Sequence, residues 1–213
     1  MNPTGSNTKP RMRRDEILDS ATRLFAERGY EGTSMADLAE KVGLRKASLF
    51  HHFASKDVLY GAVLDGLIQD IARSVTQAAF AQGSYIERFD TMSDAITDAM
   101  TSNPYAARLL VREVMDWGPI MREKIAPRLA AVLDAAVQFG EAGKRDGAFD
   151  PDLDVKQAIV SSIGVHFMPF AINRLVEMFT GVDPFDQTFV AQRKAEAREH
   201  ARQMVLPRLR KKS

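Results

Sequence analysis

The stretch LRKASLFHHFASKD, Leu44–Asp57, places two adjacent histidines between two phenylalanines, with basic residues on both sides. Leu49 and Phe53 lie four positions apart, which is the spacing of one helix face. The residues before this stretch form another short apolar helical pattern, and it ends at Gly43, a typical helix stop. Two short helices joined at a glycine are the layout of a helix-turn-helix, whose second helix enters the DNA major groove.

The histidine pair invites a metal-site interpretation, which the geometry of a helix disfavours. Successive helical residues point about 100° apart, so His51 and His52 do not face one ion together. The other two histidines are His166 and His200, and no HExxH spacing occurs. The chain also has no phosphate loop, dinucleotide fingerprint or nucleophile elbow. We therefore predict that the protein holds no metal or cofactor and is not an enzyme. The alternative is a helical protein that binds a small molecule, or an enzyme, in either case with no role on DNA.

The composition is that of an ordinary globular protein. The chain has 213 residues, of which 45% are hydrophobic and 27% are charged, enough to bury a sizeable core. It has no cysteine, which fits a reducing compartment. No apolar run approaches the length of a membrane span, and the N-terminus has no signal-peptide pattern. These features predict a cytoplasmic protein with no membrane contact.

Charge is unevenly distributed along the chain, although the net charge is only +1. Residues 61–180 carry sixteen acidic and eleven basic residues, which makes this region a poor surface for DNA. Two basic segments flank the chain: an N-terminal arm with Lys9, Arg11, Arg13 and Arg14, and a C-terminal tail with Arg208, Arg210, Lys211 and Lys212. A nonspecific nucleic-acid coat protein would need a far more positive chain, so the charge favours a localised binding surface.

Helical periodicity continues through the rest of the chain, and no alternating strand pattern is present. Breaker residues divide it into long helical segments, at 82–84, 103–104, 118–119, 143–154 and 181–184. We predict an all-α fold with about nine helices. Residues 1–60 form a helix-turn-helix domain with a basic arm, and residues 61–213 form a larger helical domain.

The first 65 residues resemble the TetR family of transcriptional regulators. The resemblance runs through ILDSATRLFAERGYEGTSMADLAEKVGLRKASLFHHFASKDVLYGAVL, residues 17–64, with DLA before the turn and LFHHFASK at the end of the recognition helix. It implies a ligand-responsive regulator that binds specific DNA sequences, and we expect a repressor. Residues 66–213 carry no motif that matches the family.

The resemblance also implies which residues contact DNA: Thr33, Ser34, Arg45, Lys46, Ala47, Ser48, Phe50, His51 and Lys56. Lys56 matches the family's phosphate-binding lysine, and Thr33 and Ser34 match residues that anchor the second helix to the DNA backbone. Two positions depart from the family pattern. Arg45 stands where a capping serine or threonine is common, which adds a candidate guanine reader. Phe50 stands where tyrosine is common, so one hydroxyl contact to phosphate is missing.

In this family the last two long helices form a homodimer, which here implies residues 154–178 and 184–208 and a near-palindromic operator in double-stranded DNA. A small-molecule effector is implied as well. Pro169 should kink its helix and leave a carbonyl free, and the mixture of side chains near it suits a mainly apolar ligand, aromatic or acyl. The candidate pocket residues are Met115, Trp117, Met121, Phe139, His166, Phe167, Phe170 and Asn173, with Phe89 and Met168 beside them. The alternative is a Met- and aromatic-rich core with one hydrogen-bonded histidine.

Overall fold

The computed structural model describes residues 8–207, with side chains from residue 14 onward. That part of the chain contains ten α-helices, one π-helical turn and no strand, so the all-α prediction is confirmed and the expected number of helices was close. The helices are α1 (Thr8–Arg28), α2 (Met35–Lys41), α3 (Lys46–His52), α4 (Lys56–Ala79), α5 (Tyr85–Thr101), α6 (Ala106–Asp116), α7 (Ala126–Asp146), α8 (Val155–Ala171), α9 (Asn173–Thr180) and α10 (Gln187–Val205), and the π-helical turn is Met121–Ile125.

Local signals set the ends of the first helices. Gly29 follows α1 with a φ of 77°, a left-handed conformation that suits glycine. The Ser34 hydroxyl accepts the Asp37 N–H, and the Asp37 carboxylate accepts the Ser34 N–H, which forms a capping box at the start of α2. Ser55 caps α4 through the N–H of Val58. Each of these boundaries is set by residues within about one helical turn of it.

Helix α4 connects the first three helices to the rest of the molecule. Leu59, Tyr60, Val63 and Leu64 are buried in its first half, and it packs against α1. Farther along, Ile68 and other apolar residues are buried where α4 packs against α5 and α7. One continuous core therefore joins the N-terminal helices to the larger helical body.

The structure corrects the prediction of one continuous helix over residues 154–178, because the helix is interrupted. Helix α8 ends at Ala171, and α9 departs from it at an angle of 75°. Pro169 has no N–H to donate to the carbonyl of Val165, and that carbonyl instead accepts a bond from Arg193 Nη2 at 3.4 Å. The carbonyl expected to be free has lost its helical bond but is taken by Arg193, and the bend itself falls three residues after Pro169, at Ile172.

Helix α10 lies antiparallel to α5, and ion pairs at every fourth residue fix their alignment. The pairs are Lys194 with Asp98, Arg198 with Asp94, and Arg202 with Asp90. Single exposed pairs contribute about 0–1 kcal/mol, so the ladder sets register more than stability. Taken singly, no helix within residues 8–207 has the length and apolarity to cross a bilayer; only the bent α8–α9 pair reaches that length and composition when the two are counted together.

Candidate DNA-binding face and internal cavity

Helix α3 presents the predicted reading surface to solvent. Leu49 and Phe53 are buried and hold the helix on the core. The six predicted contact residues of this helix and its cap are all exposed: Arg45, Lys46, Ala47, Ser48, Phe50 and His51. A helix held on the core by one side, with basic and polar groups on the other, has the form of a major-groove reader.

The turn between α2 and α3 depends on Gly43, whose φ is 63°. This conformation lets the Leu44 N–H bond to the carbonyl of Ala39 at 2.8 Å. Arg45 then takes the N-cap position of α3 without a side-chain capping bond. Because its guanidinium is exposed and makes no capping bond, the departure noted in the sequence leaves Arg45 available to a base edge.

Thr33 is a correction to the predicted contact set. Its side chain is 1% exposed, and its hydroxyl donates to the carbonyl of Gly29 at 2.9 Å. The hydroxyl therefore ties the end of α1 to the start of α2 and is not presented to DNA. Ser34 remains exposed, but its hydroxyl is occupied by the capping box with Asp37.

Lys56 is held in place by Tyr30. Its Nζ donates to the Tyr30 carbonyl at 3.0 Å and lies 4.0 Å from the centre of the Tyr30 ring. Burial raises the pKa of Tyr30 to about 12, so the phenol keeps its proton and donates a hydrogen bond to Asp57. An ammonium group has three donors, and the Tyr30 carbonyl takes one, so Lys56 keeps donors for a phosphate.

The basic segments are only partly described. Lys9, Arg11 and Arg13 belong to the first turns of α1, and their side chains lie outside the described residues. Arg14 is exposed, and its guanidinium lies 5.1 Å from the centre of the Phe53 ring. The C-terminal tail lies beyond residue 207 and so outside the described residues.

A cavity of about 360 Å³, partly open to solvent beside Met115, lies within the helical body. Helices α4 to α8 and α10, the π-helical turn and the loop before α8 all contribute to its wall. The wall is apolar apart from Ser93, Ser162 and His166, and no charged side chain from residues 14–207 lines it. Its size falls in the range of small-molecule sites.

The cavity includes five of the eight predicted pocket residues, and Phe89 and Met168 as well. The five are Met115, Met121, Phe139, His166 and Phe167. The aliphatic part of the wall was missed, including Ile68, Ile71, Leu110, Val111 and Leu129. These residues follow ordinary helical periodicity, and periodicity alone does not separate a cavity wall from solid core.

Three predicted pocket residues do not line the cavity. Trp117 ends α6 in a left-handed conformation and is 45% exposed. Phe170 is fully buried and packs on Phe185, with ring centres 5.7 Å apart. Asn173 lies just after the α8–α9 bend, where its Oδ1 accepts the N–H of Arg174. Because the chain turns at Ile172, Asn173 belongs to a different helix from His166.

His166 is the most distinctive polar group in the cavity wall. It is 3% exposed; its Nδ1 lies 3.0 Å from Thr97 Oγ1 and its Nε2 lies 3.4 Å from Ser93 Oγ. Burial, together with the smaller effect of the nearby positive charge of Arg193, lowers the pKa of His166 to about 4. The imidazole is therefore neutral at physiological pH. It both takes part in a core hydrogen-bond cluster and borders the cavity.

Metal-ligating side chains do not gather in the described structure. The rings of His51 and His52 lie 6.1 Å apart at an angle of 69°. No group of three or more histidine or acidic side chains among the described residues is placed to hold a metal ion.

Comparison with known proteins identifies the family. Residues 17–63 match the model of the bacterial regulatory proteins of the tetR family, and residues 86–205, more than half of the chain, match the tetracyclin repressor-like C-terminal domain. The chain belongs to the TetR family. The C-terminal match covers the region where the sequence alone carried no recognisable motif.

Curated relatives of this TetR-family protein are transcriptional regulators. It is 30% identical over 154 residues to the HTH-type transcriptional repressor KstR2 of Rhodococcus jostii, covering 68% of this chain and 72% of the relative. It is 32% identical over 153 residues to the repressor AcnR of Corynebacterium diphtheriae, covering 72% and 76%. The prediction of a DNA-binding transcriptional repressor is confirmed at the level of the family.

Solved structures share the fold. The ketosteroid transcriptional regulator KstR2 of Mycobacterium tuberculosis aligns with a TM-score of 0.76 over 92% of this chain and 96% of that one, at 22% identity. The structure of AibR in complex with isovaleryl coenzyme A and operator DNA aligns with a TM-score of 0.67 over 92% and 100%, at 20% identity. The arrangement of helices is thus common to this TetR-family protein and to proteins of low sequence identity.

Helix α6 connects the cavity of this TetR-family regulator to its DNA-binding helices. Leu110 and Val114 line the cavity. Glu113, which lies between them in the chain, is buried beside Tyr60 of α4. Burial raises the pKa of Glu113, and the Tyr60 hydroxyl opposes that shift. The Tyr60 ring centre lies 4.9 Å from that of Tyr30, the residue that holds Lys56. A continuous packed path therefore runs from the cavity wall to the predicted phosphate contact.

Neutral His166 should make the stability of this regulator fall in acid. The pKa of His166 is about 4 in the folded protein and 6.5 ordinarily, so between these values the unfolded chain binds more protons. The contribution is complete above about pH 6.5 and is lost as the pH falls toward 4, about 3 kcal/mol in all. Urea unfolding of wild type and His166→Phe across this range should give curves that diverge by this amount. Parallel curves would contradict a neutral buried His166.

Proposed function

We propose that this repressor acts as a homodimer that binds a near-palindromic operator and is released by a small, mainly apolar effector. In this proposal residues 1–60 form the DNA-binding domain, and residues 61–213 form the domain for effector binding and dimerisation. The observation that carries the effector proposal is the apolar cavity of about 360 Å³, which α6 connects to the DNA-binding helices. Action on DNA agrees with the cytoplasmic location predicted from the sequence.

The DNA contacts divide into two kinds. Arg45 and Lys46 are exposed at the start of α3, where side chains reach base edges. Lys56 opens α4 and is positioned by Tyr30 for a phosphate, which carries no sequence information. The first pair should therefore govern specificity, and Lys56 should govern general affinity and its dependence on salt.

Alanine substitutions should separate these two roles. Arg45→Ala or Lys46→Ala is expected to cost about 1–3 kcal/mol on the operator and little on random DNA, because a lost base contact affects one sequence only. Lys56→Ala should weaken both alike. Fluorescence anisotropy with a selected operator and a scrambled duplex, at several salt concentrations, measures both. Equal losses on both duplexes for all three variants would exclude base reading by Arg45 and Lys46.

The dimer proposal uses α8 and α10, which lie within residues 154–178 and 184–208. Along α8, Val160, Ile163 and Met168 are exposed on one side of the helix, and Ile163 and Met168 also border the cavity. Gly164 lies within the same stripe, and a Cβ there would meet nothing within 4 Å. An exposed apolar stripe on a soluble helix indicates a binding surface, and a two-fold contact between copies also supplies the symmetry of a palindromic operator.

The effector is proposed to act through α6. A ligand in the cavity contacts Leu110, Val111 and Val114, so filling the cavity shifts α6 relative to α4. Helix α4 begins at Lys56 and shares the core of the DNA-binding helices, so its movement changes the separation of the two α3 helices of the dimer.

Compounds that release the operator should also change the fluorescence of Trp117, which lies at the end of α6, two residues after the cavity residue Met115.

A further inference from the structure

We infer that the effector carries a neutral hydroxyl group that donates a hydrogen bond to His166 Nε2 and accepts one from the Ser93 hydroxyl. This inference rests on the proposed effector role of the cavity and narrows it to a chemical class, hydroxylated apolar molecules. It follows from the hydrogen-bond partners of His166 and from which of its two ring nitrogens faces the cavity.

The tautomer of His166 is assigned from its contact with Thr97. The Thr97 hydroxyl donates to the carbonyl oxygen of Ser93 at 3.2 Å, and a carbonyl only accepts. With its one proton used there, Thr97 Oγ1 accepts from His166 Nδ1 at 3.0 Å. The ring therefore carries its proton on Nδ1. Since the imidazole is neutral, Nε2 holds a lone pair and acts only as an acceptor.

The accepting edge of the ring faces the cavity. Ser93, the neighbour of Nε2, lines the cavity, whereas Thr97, the neighbour of Nδ1, is buried and does not. The separation of Nε2 and Ser93 Oγ is 3.4 Å, a long hydrogen bond that a ligand oxygen replaces by bonding to both atoms. A hydroxyl matches both groups, because it donates once to Nε2 and accepts once from Ser93.

Other polar groups fit this edge less well. A ketone or an ether accepts from Ser93 but leaves Nε2 without a donor, which lowers affinity about ten- to a hundredfold relative to an alcohol. A carboxylate accepts from the Ser93 hydroxyl, but it meets the lone pair of Nε2 and finds no cation among the described residues that line the cavity. Protonating His166 to receive it is disfavoured about a thousandfold at pH 7, given a pKa of about 4. Arg193 lies near His166 but does not line the cavity.

The test uses three eight-carbon probes titrated into the full-length protein by calorimetry: n-octanol, its isomer heptyl methyl ether, and octanoate. Wild type should bind octanol at least about tenfold more tightly than the ether, and octanoate most weakly. Thr97→Val removes the acceptor that fixes the tautomer, so the preference for octanol should fall to near unity. Ser162→Ala alters another serine of the cavity wall and is the matched control, in which the preference should persist.

The outcomes distinguish a failure of the hydroxyl assignment from a failure of the proposed effector site. Equal binding of octanol and the ether by wild type, or tighter binding of octanoate, overturns the hydroxyl assignment and leaves an apolar effector site intact. Binding of none of the probes, nor of n-octane, overturns both. Retention of the octanol preference in Thr97→Val, with folding confirmed by circular dichroism, refutes the tautomer argument. His166→Leu provides a second variant, and it should bind octanol and the ether alike.

Discussion

Replacing Val160 with glutamate is expected to split the proposed dimer and to lower operator affinity by about a hundredfold or more. Val160 is 62% exposed on α8 and is not part of the cavity wall, so its substitution spares the effector site. In a two-fold interface each substitution appears twice. Burying an unpaired carboxylate costs several kcal/mol, and about 1.4 kcal/mol corresponds to a tenfold change in affinity.

Two measurements on the same sample check this expectation. Multi-angle light scattering at micromolar concentration should give a dimer for wild type and a monomer for Val160→Glu. Fluorescence anisotropy should show the loss of operator binding, while circular dichroism should show unchanged helicity. Phe80→Glu is the matched control, because Phe80 is an exposed apolar residue at the end of α4, outside α8 and α10. A wild-type monomer, or a Val160→Glu dimer, would contradict the proposed interface.

Replacing Phe149 with alanine is expected to reduce the free energy of unfolding by about 3–5 kcal/mol, the usual range for a buried phenylalanine. Phe149 is 1% exposed, and its ring centre lies 5.6 to 6.2 Å from those of Tyr85, Phe89 and Phe139. A Cβ at Gly143 would lie 2.3 Å from the ring, so the ring packs directly against the α7 backbone. Truncation therefore removes contacts on several sides at once.

Urea unfolding at a fixed protein concentration measures this loss, since the proposed dimerisation would make stability depend on concentration. The matched control is Phe80→Ala: Phe80 is 83% exposed, and its truncation should change stability by less than about 0.5 kcal/mol. For a chain of this size the Phe149→Ala variant should melt about 10 °C below wild type. Similar losses in the two variants would contradict the assignment of Phe149 to the core.

Much of the DNA-binding region could be predicted from the sequence, because short-range interactions define it. Ser34 with Asp37, Ser55 with Val58, and the left-handed glycines at 29 and 43 all act within one helical turn. Bonds of this kind form wherever the local sequence permits them. The same locality explains why Pro169 correctly predicts the loss of one helical hydrogen bond, since that bond joins residues four apart, whereas the replacement donor Arg193 comes from another helix.

The cavity depended on tertiary structure. His166 was chosen from the sequence as one histidine among large apolar residues, but its partners Ser93 and Thr97 lie 73 and 69 residues away. Trp117, Phe170 and Asn173 looked equally suitable by composition, yet they lie outside the cavity wall. Side-chain type reports what a residue can bind, whereas its membership of a cavity depends on how several helices rotate and cross.

Local patterns in the chain thus predict an all-helical protein with a helix-turn-helix at its start. The inward orientation of Thr33, the turn at Ile172 and the edge of His166 that meets the cavity are seen only in the packed fold. The two sets of features differ in the distance over which the responsible interactions act. Capping and periodicity are set by neighbours within a few residues, while burial and cavity shape result from packing among side chains that are far apart in the chain.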